Sequence, residues 1–259
     1  MGVALVTGGT SGIGAAFARQ LADRGYDLVL VARSRSGLEA MAAEVKATGR
    51  TVEILVADLG DRKAVARIAE RLEDPTQPID VLVNNAGFGI HTALTDPDVA
   101  KHDAGFEVMV RSVLVLSGAA ARGMMARGAG KIVNVSSTAG FMTMGSYSAM
   151  KAWVTSYTEG LAVELKGTGV TATALCPGWV RTNFHDAAGI KKSSIPNAMW
   201  IDAEPLVRAC LRDVDHGKVI SIPTIRYRAL FWLVRHAPKS AIRSISGTIS
   251  SDRRKPVVT

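Results

Sequence analysis

The sequence predicts a single α/β domain: an open, doubly wound parallel sheet of about seven strands in three α/β/α layers, with a helical extension at its C-terminal end. Three observations carry this reading. Short β-branched and aliphatic runs alternate with longer helical patterns. The runs are apolar almost throughout, as strands covered on both faces must be. Glycine-rich or polar clusters follow the runs directly, where such sheets bind ligands beyond the strand C-terminal ends. At 259 residues and 47% hydrophobic composition, the chain can bury a core of this size.

The first run, Val3-Ala4-Leu5-Val6, enters Thr7-Gly8-Gly9-Thr10-Ser11-Gly12-Ile13-Gly14 and then a helix over 12–24. Glycines at 8, 12 and 14 permit a tight turn, close backbone approach to a pyrophosphate and close packing of helix on sheet. Amides at a helix start stabilise negative phosphate, so Gly8, Thr10, Ser11, Gly12, Ile13 and Gly14 are candidate cofactor contacts. A glycine turn with no ligand would share the spacing, but its place after the first strand favours a nucleotide.

The second run, 27–31, ends in Ala32-Arg33-Ser34 before a helix over 36–48. A site selecting NAD usually places a carboxylate here to hold the adenosine ribose. Arg33, aided by the Ser34 hydroxyl, would instead neutralise a ribose phosphate, so NADP(H) is expected over NAD(H). The third run, 51–56, is followed by Asp58-Leu59, a candidate adenine contact, with Asp61 better placed to cap a helix over 61–73. The fourth, 79–83, closes in Asn84-Asn85-Ala86-Gly87, where Asn85, Ala86 and Gly87 would lie against a cofactor ribose. Asparagines also tie loop backbones together, so these residues serve architecture as well.

After a helix over 99–127, the fifth run, 131–135, ends in Ser136-Ser137. Tyr147 and Lys151 then open a helix over 146–166, and at this spacing they share one face. A neighbouring ammonium and an oxidised nicotinamide favour phenolate, bringing tyrosine towards the working range for proton transfer. Ser137 can donate a hydrogen bond to a substrate oxygen. The sixth run, 170–175, leads to Cys176-Pro177-Gly178, a helix follows over 203–213, and the seventh run spans 218–222.

The formal net charge of +8 suggests nucleic acid until it is located. From Lys218 onward nine basic residues face Asp252 alone, so the preceding residues are neutral overall. A catalytic body with a basic tail fits better than a nucleic-acid-binding domain. Cys176 and Cys210 offer neither a disulfide framework nor a metal cluster, and both read as buried, inert thiols of a reducing compartment. The first residues carry no basic leader, and no apolar run reaches membrane-spanning length, so a cytoplasmic location is expected.

With these residues in hand, the chain closely resembles the short-chain dehydrogenase/reductase family over nearly its whole length. Thr7 to Gly14 matches the family's TGxxxGIG element, Asn84 to Gly87 its NNAG, Ser137 its catalytic serine, Tyr147 to Lys151 its YxxxK, and Pro177-Gly178 the turn beside the nicotinamide. The resemblance implies a Rossmann-like fold and hydride exchange between a nicotinamide cofactor and a ketone, aldehyde or secondary alcohol. It makes Tyr147 the acid or base, has Ser137 polarise the carbonyl, and has Lys151 hold the nicotinamide ribose while lowering the tyrosine pKa. Val180 and Thr182 would complete the cofactor contacts, and homodimers or homotetramers are implied through helices 99–127 and 146–166.

Two departures from the family stand out. Met109 occupies the position of the asparagine that holds a water near the lysine, and a thioether cannot make the same polar contacts. The loop from Thr138 to Ser146 is shorter than usual and reshapes the substrate mouth, whose candidate lining is Phe141, Met142 and Met144. Residues 179–202 correspond to the substrate lid, from which Phe184 and Trp200 could close over a lipophilic substrate. Residues 1–222 would form the catalytic domain and 223–259 a basic, partly helical extension packed on it, in an oligomer, or on anionic lipid. Two alternatives stay open, an NAD-preferring alcohol dehydrogenase and a nucleotide-binding regulatory protein impaired by Met109.

Overall fold

A computed structural model describes residues 2–182 and 197–249. The expected alternation is present: β1 (Val3–Thr7), α1 (Gly12–Asp23), β2 (Asp27–Ala32), α2 (Arg35–Lys46), β3 (Val52–Val56), α3 (Arg62–Glu73) and β4 (Val81–Asn84). Then come α4 (Ala100–Phe106), a π-helical turn (Glu107–Arg111), α5 (Ser112–Met125), β5 (Gly130–Val135), α6 (Ser146–Glu164) and β6 (Val170–Leu175). The chain continues through β7 (Trp179–Val180), β8 (Trp200–Ile201), α7 (Ala203–Asp215), β9 (Ile220–Ser221), α8 (Ile225–His236) and α9 (Lys239–Ile249).

The main sheet is parallel, in the order β3-β2-β1-β4-β5-β6-β9. Its order reverses between β1 and β4, which puts the ligand crevice above those two strands. Alternate residues of each strand enter opposite cores: Ala4, Val6, Leu28 and Leu30 pack with α1, α2 and α7, while Leu5, Val29, Leu82 and Ile132 pack with α3, α5 and α6. The continuous apolar runs are thus explained by burial on both faces.

The structure refines several expectations. β9 is shorter than 218–222, because the edge strand pairs with β6 only at Ala174–Ile220 and Leu175–Ser221. β7 and β8, unexpected from the sequence, pair in parallel as a separate two-stranded sheet. The helix expected over 99–127 is interrupted by the π-helical turn, where the Ser112 amide bonds the Glu107 carbonyl, one residue beyond α-helical register. Ala100–Met125 is also long and apolar enough to span a membrane by length and composition, contrary to the expectation of no such run. One side of it packs against β4, β5 and α3.

Candidate active site

The glycine-rich loop is built to bring backbone close to a ligand. Gly8 and Gly12 adopt φ of 65° and 54°, left-handed values that favour glycine. A methyl group on Gly14 would lie 2.1 Å from the Gly8 carbonyl oxygen, and one on Gly12 would lie 2.8 Å from Thr182 Cγ2. The loop therefore admits no side chain at these points, and Thr182 is brought over it. Ser11 caps α1 without a side-chain hydrogen bond, so the helix start keeps first-turn amides for an anion. This cradle fits the pyrophosphate of a dinucleotide. Thr10 and Ile13 are half-buried within it.

Asparagines fix the cradle to β4. Asn85 Nδ2 donates to the Thr7 and Gly8 carbonyls at 3.0 and 3.1 Å, while the Asn85 and Ala86 amides both donate to Thr7 Oγ1. Below them, buried Asn84 and Asn134 link β4 to β5 and reach Ser117 and Thr158. At the end of β2, Arg33 is exposed and has no carboxylate partner among the described residues, whereas its neighbour Arg35 pairs with Glu39. Ser34 Oγ accepts from the Gly37 amide and caps α2. Asp61 caps α3 as expected, but Asp58 is not wholly free: one carboxylate oxygen accepts from the Gly60 amide. Leu59 is buried in the core.

The chemistry gathers at the ends of β5 and β6. Ser137 is in extended conformation, and its Oγ accepts from the Ala139 amide at 3.1 Å, capping a 3-10 turn over Thr138–Phe141. The same hydroxyl faces Tyr147 and draws its pKa down. Gly140 lets this turn lie directly on α6, since a methyl group there would be 2.8 Å from backbone atoms of Lys151 and Ala152. Lys151 is buried, and its Nζ donates to the Val135 carbonyl at 2.8 Å and lies 5.8 Å from the Tyr147 ring centre. Thr138 ties the turn to the Pro177 carbonyl through both its amide and its hydroxyl.

Burial dominates the electrostatics. It pushes Tyr147 up to about 12, partly offset by the Ser137 hydroxyl, and pulls Lys151 down to about 8. The resemblance implies a tyrosine lowered by its lysine; in the protein alone, desolvation raises it instead. At the floor of the site, a methyl group on Gly87 would stand 3.2 Å from Met109 Sδ and 3.8 Å from Lys151 Nζ. Met109 is fully buried with Ile90 and Met150, so apolar packing fills the position where the family holds a polar side chain.

Of the expected substrate wall, Phe141 lies against Phe231 of α8, with ring centres 4.4 Å apart. Met142 and Met144 are half-buried on the same loop. Trp200 is in β8, tilted against Trp179 and beneath the Arg181 guanidinium. Val180 is buried beside it in β7. Phe184 lies outside the described residues. Two side chains that sequence reasoning passed over are brought here. His102 bridges Ser146 Oγ at 2.8 Å and the Ala93 carbonyl at 3.2 Å, bracing the start of α6. Tyr227 packs on Gly178.

Comparison with known proteins agrees with this geometry. A family model described as short chain dehydrogenase matches residues 2–192. A short-chain dehydrogenase from Sphingobium yanoikuyae, solved in complex with NADPH, is 31% identical with a TM-score of 0.83, covering 100% of this chain and 98% of its own. A bulky-bulky ketone specific alcohol dehydrogenase from Comamonas testosteroni is 28% identical with a TM-score of 0.78, covering 100% and 96%. The 3-oxoacyl-(acyl-carrier-protein) reductase of Haemophilus influenzae is 32% identical over 219 residues, 80% of this chain and 88% of the relative.

Proposed function

Because the chain belongs to the short-chain dehydrogenase family, we propose that it exchanges hydride between NADP(H) and a bulky, apolar ketone or aldehyde, or the corresponding alcohol in reverse. The observation that carries this reading is the meeting of Ser137, Tyr147 and buried Lys151 beside the glycine cradle. When bound, the nicotinamide supplies or accepts the hydride. The protein's own part is proton transfer and positioning.

Ser137, held by the Ala139 amide, presents its hydroxyl beside Tyr147, so a carbonyl oxygen entering between them receives two hydrogen bonds. Tyr147 gives its phenolic proton to that oxygen on reduction and takes it back on oxidation. Lys151, anchored on the Val135 carbonyl, places positive charge beside the phenol and stabilises the phenolate left by reduction. The exposed Arg33 guanidinium, with no carboxylate partner among the described residues, supports a ribose phosphate, hence NADPH over NADH. Phe141 and Phe231 supply an apolar wall suited to a bulky substrate.

A panel of ketones and aldehydes, followed by NADPH absorbance, tests the reading. Turnover is expected with bulky ketones, and Tyr147→Phe should reduce kcat by about a hundredfold or more. Activity unaffected by that substitution would remove Tyr147 from the chemistry.

Association is part of the proposal. Phe106, Leu114 and Val163 are exposed on α4, α5 and α6, and this apolar surface supports a homodimer or homotetramer, to be read by light scattering. The outer face of α8 exposes Ile225, Trp232 and Leu233 in the basic end of the chain, which supports contact with an anionic membrane. Co-sedimentation with phosphatidylglycerol vesicles but not phosphatidylcholine vesicles is the expected outcome. The buried Cys176 and Cys210 thiols, pushed up to about 11 and about 12 by desolvation, suit a cytoplasmic protein without thiol chemistry.

A further inference from the structure

Tyr227 is a buried tyrosine on α8, outside the catalytic group. Its hydroxyl accepts from the Trp179 amide at 3.0 Å and donates to the Met199 carbonyl at 2.8 Å. These partners stand at the start of β7 and immediately before β8, so one side chain joins both arms of the small sheet. Its ring covers Gly178, where a methyl group would lie 1.9 Å from Tyr227 Cζ. No other residue than glycine leaves room for the ring there.

The contact continues into the catalytic turn. Gly178 follows Pro177, whose carbonyl receives both hydrogen bonds from Thr138, the residue after Ser137. One turn further along α8, Phe231 presses on Phe141 at the other end of the same 3-10 turn. Thr143, on the loop leading to Tyr147, donates its amide to Ser246 Oγ of α9 at 3.1 Å. The extension thus grips the Ser137–Tyr147 loop directly at Phe141 and Thr143, and indirectly at Thr138 through the Pro177-Gly178 turn.

We propose that Tyr227 is a positioning residue for bulky substrates: it locks the Gly178 turn and the β7–β8 pair to α8, holding Phe231 as a fixed wall beside Ser137. This deepens the carbonyl-reductase reading and rests on it for its substrate. The lock itself is independent of turnover. Buried hydrogen bonds to two backbone groups are costly to leave unmade, so the arrangement has one favoured geometry.

Tyr227→Phe keeps the ring over Gly178 and removes only the hydroxyl. The expected result is faster hydrogen exchange at the Trp179 amide, with the exchange of β1 and β4 amides unaltered. With NADPH, KM for a diaryl ketone should rise about five- to tenfold, the scale of a lost buried hydrogen bond, and by more than for butan-2-one. Phe231→Ala should impose the same preference for the smaller ketone without speeding exchange at Trp179. Unaltered Trp179 exchange in Tyr227→Phe overturns the lock. A uniform rise in exchange across the sheet, with equal KM changes for both ketones, overturns the positioning role in favour of general stability. If no carbonyl is reduced by the parent protein, the functional reading fails while the exchange measurement still decides the lock.

Discussion

Arg33 and Arg35 show how little separates a ligand group from an ordinary surface charge. Arg35 spends its guanidinium on Glu39 one helical turn away, while Arg33, before the Ser34 cap, points to no carboxylate among the described residues. A charge-assisted bond to a ribose phosphate is worth about 1.5–3 kcal/mol, so Arg33→Ala should raise KM for NADPH about 10- to 100-fold and that for NADH little. Initial rates with both nucleotides measure this. Lys151 makes a second prediction. Burial lowers its folded pKa from 10.5 to about 8, so the charged form costs stability below about pH 8 and the cost fades as pH rises to 10.5. Lys151→Met should therefore stabilise the fold more at pH 7 than at pH 10, as read from urea midpoints. Tyr147 has the opposite sign: its raised pKa favours the folded state below pH 10, and that contribution is lost as pH passes about 12. The positions of most candidate site residues were legible because they follow apolar runs. The direction of the tyrosine shift was not, because spacing reveals a neighbouring charge but not how deeply both groups are buried.

At the scale of elements, the 3-10 turn over Thr138–Phe141 illustrates what a short loop demands. It reaches Tyr147 only by lying on the backbone of α6, and Gly140 is the point of contact. Gly140→Ala should cost about 1–3 kcal/mol by overpacking. It should also lower kcat beyond any loss of folded protein, because lifting the turn moves Ser137 from Tyr147; urea denaturation and kcat on the same samples separate the two. The π-helical turn shows a different limit of sequence reading. Met109 could be placed opposite the lysine by resemblance, yet the widened turn around it could not, since Glu107–Arg111 has the composition of continuous helix. Its departure depends on packing: Met109 is sealed against Ile90 and Met150, and Ser112 Oγ bonds the Val108 carbonyl. β7 and β8 escaped notice because two-residue strands carry no period.

For the molecule as a whole, the division between a neutral body and a basic extension was visible in the charges, but the extension's place was not. Its contacts depend on single side chains, Tyr227, Phe231 and Ser246, meeting partners far away in the chain. Such pairings have no local signature. They separate two capacities within one fold, because the glycine cradle is held by β1 and β4 while the serine turn is braced by α8 and α9. Removing residues 223–259 should leave NADPH binding within about threefold while lowering ketone turnover by about tenfold or more, measured by nucleotide fluorescence and absorbance.

The Thr143–Ser246 bond spans 103 positions of sequence, and this distance has a temporal meaning. During synthesis the N-terminal βαβ units emerge first and can pair among themselves, whereas α9 leaves the ribosome late. A nascent chain can thus acquire a dinucleotide cradle well before it acquires a braced serine turn. Proteolytic nicking in the extension would return a mature molecule to that juvenile condition, able to sequester nucleotide with little capacity to spend it.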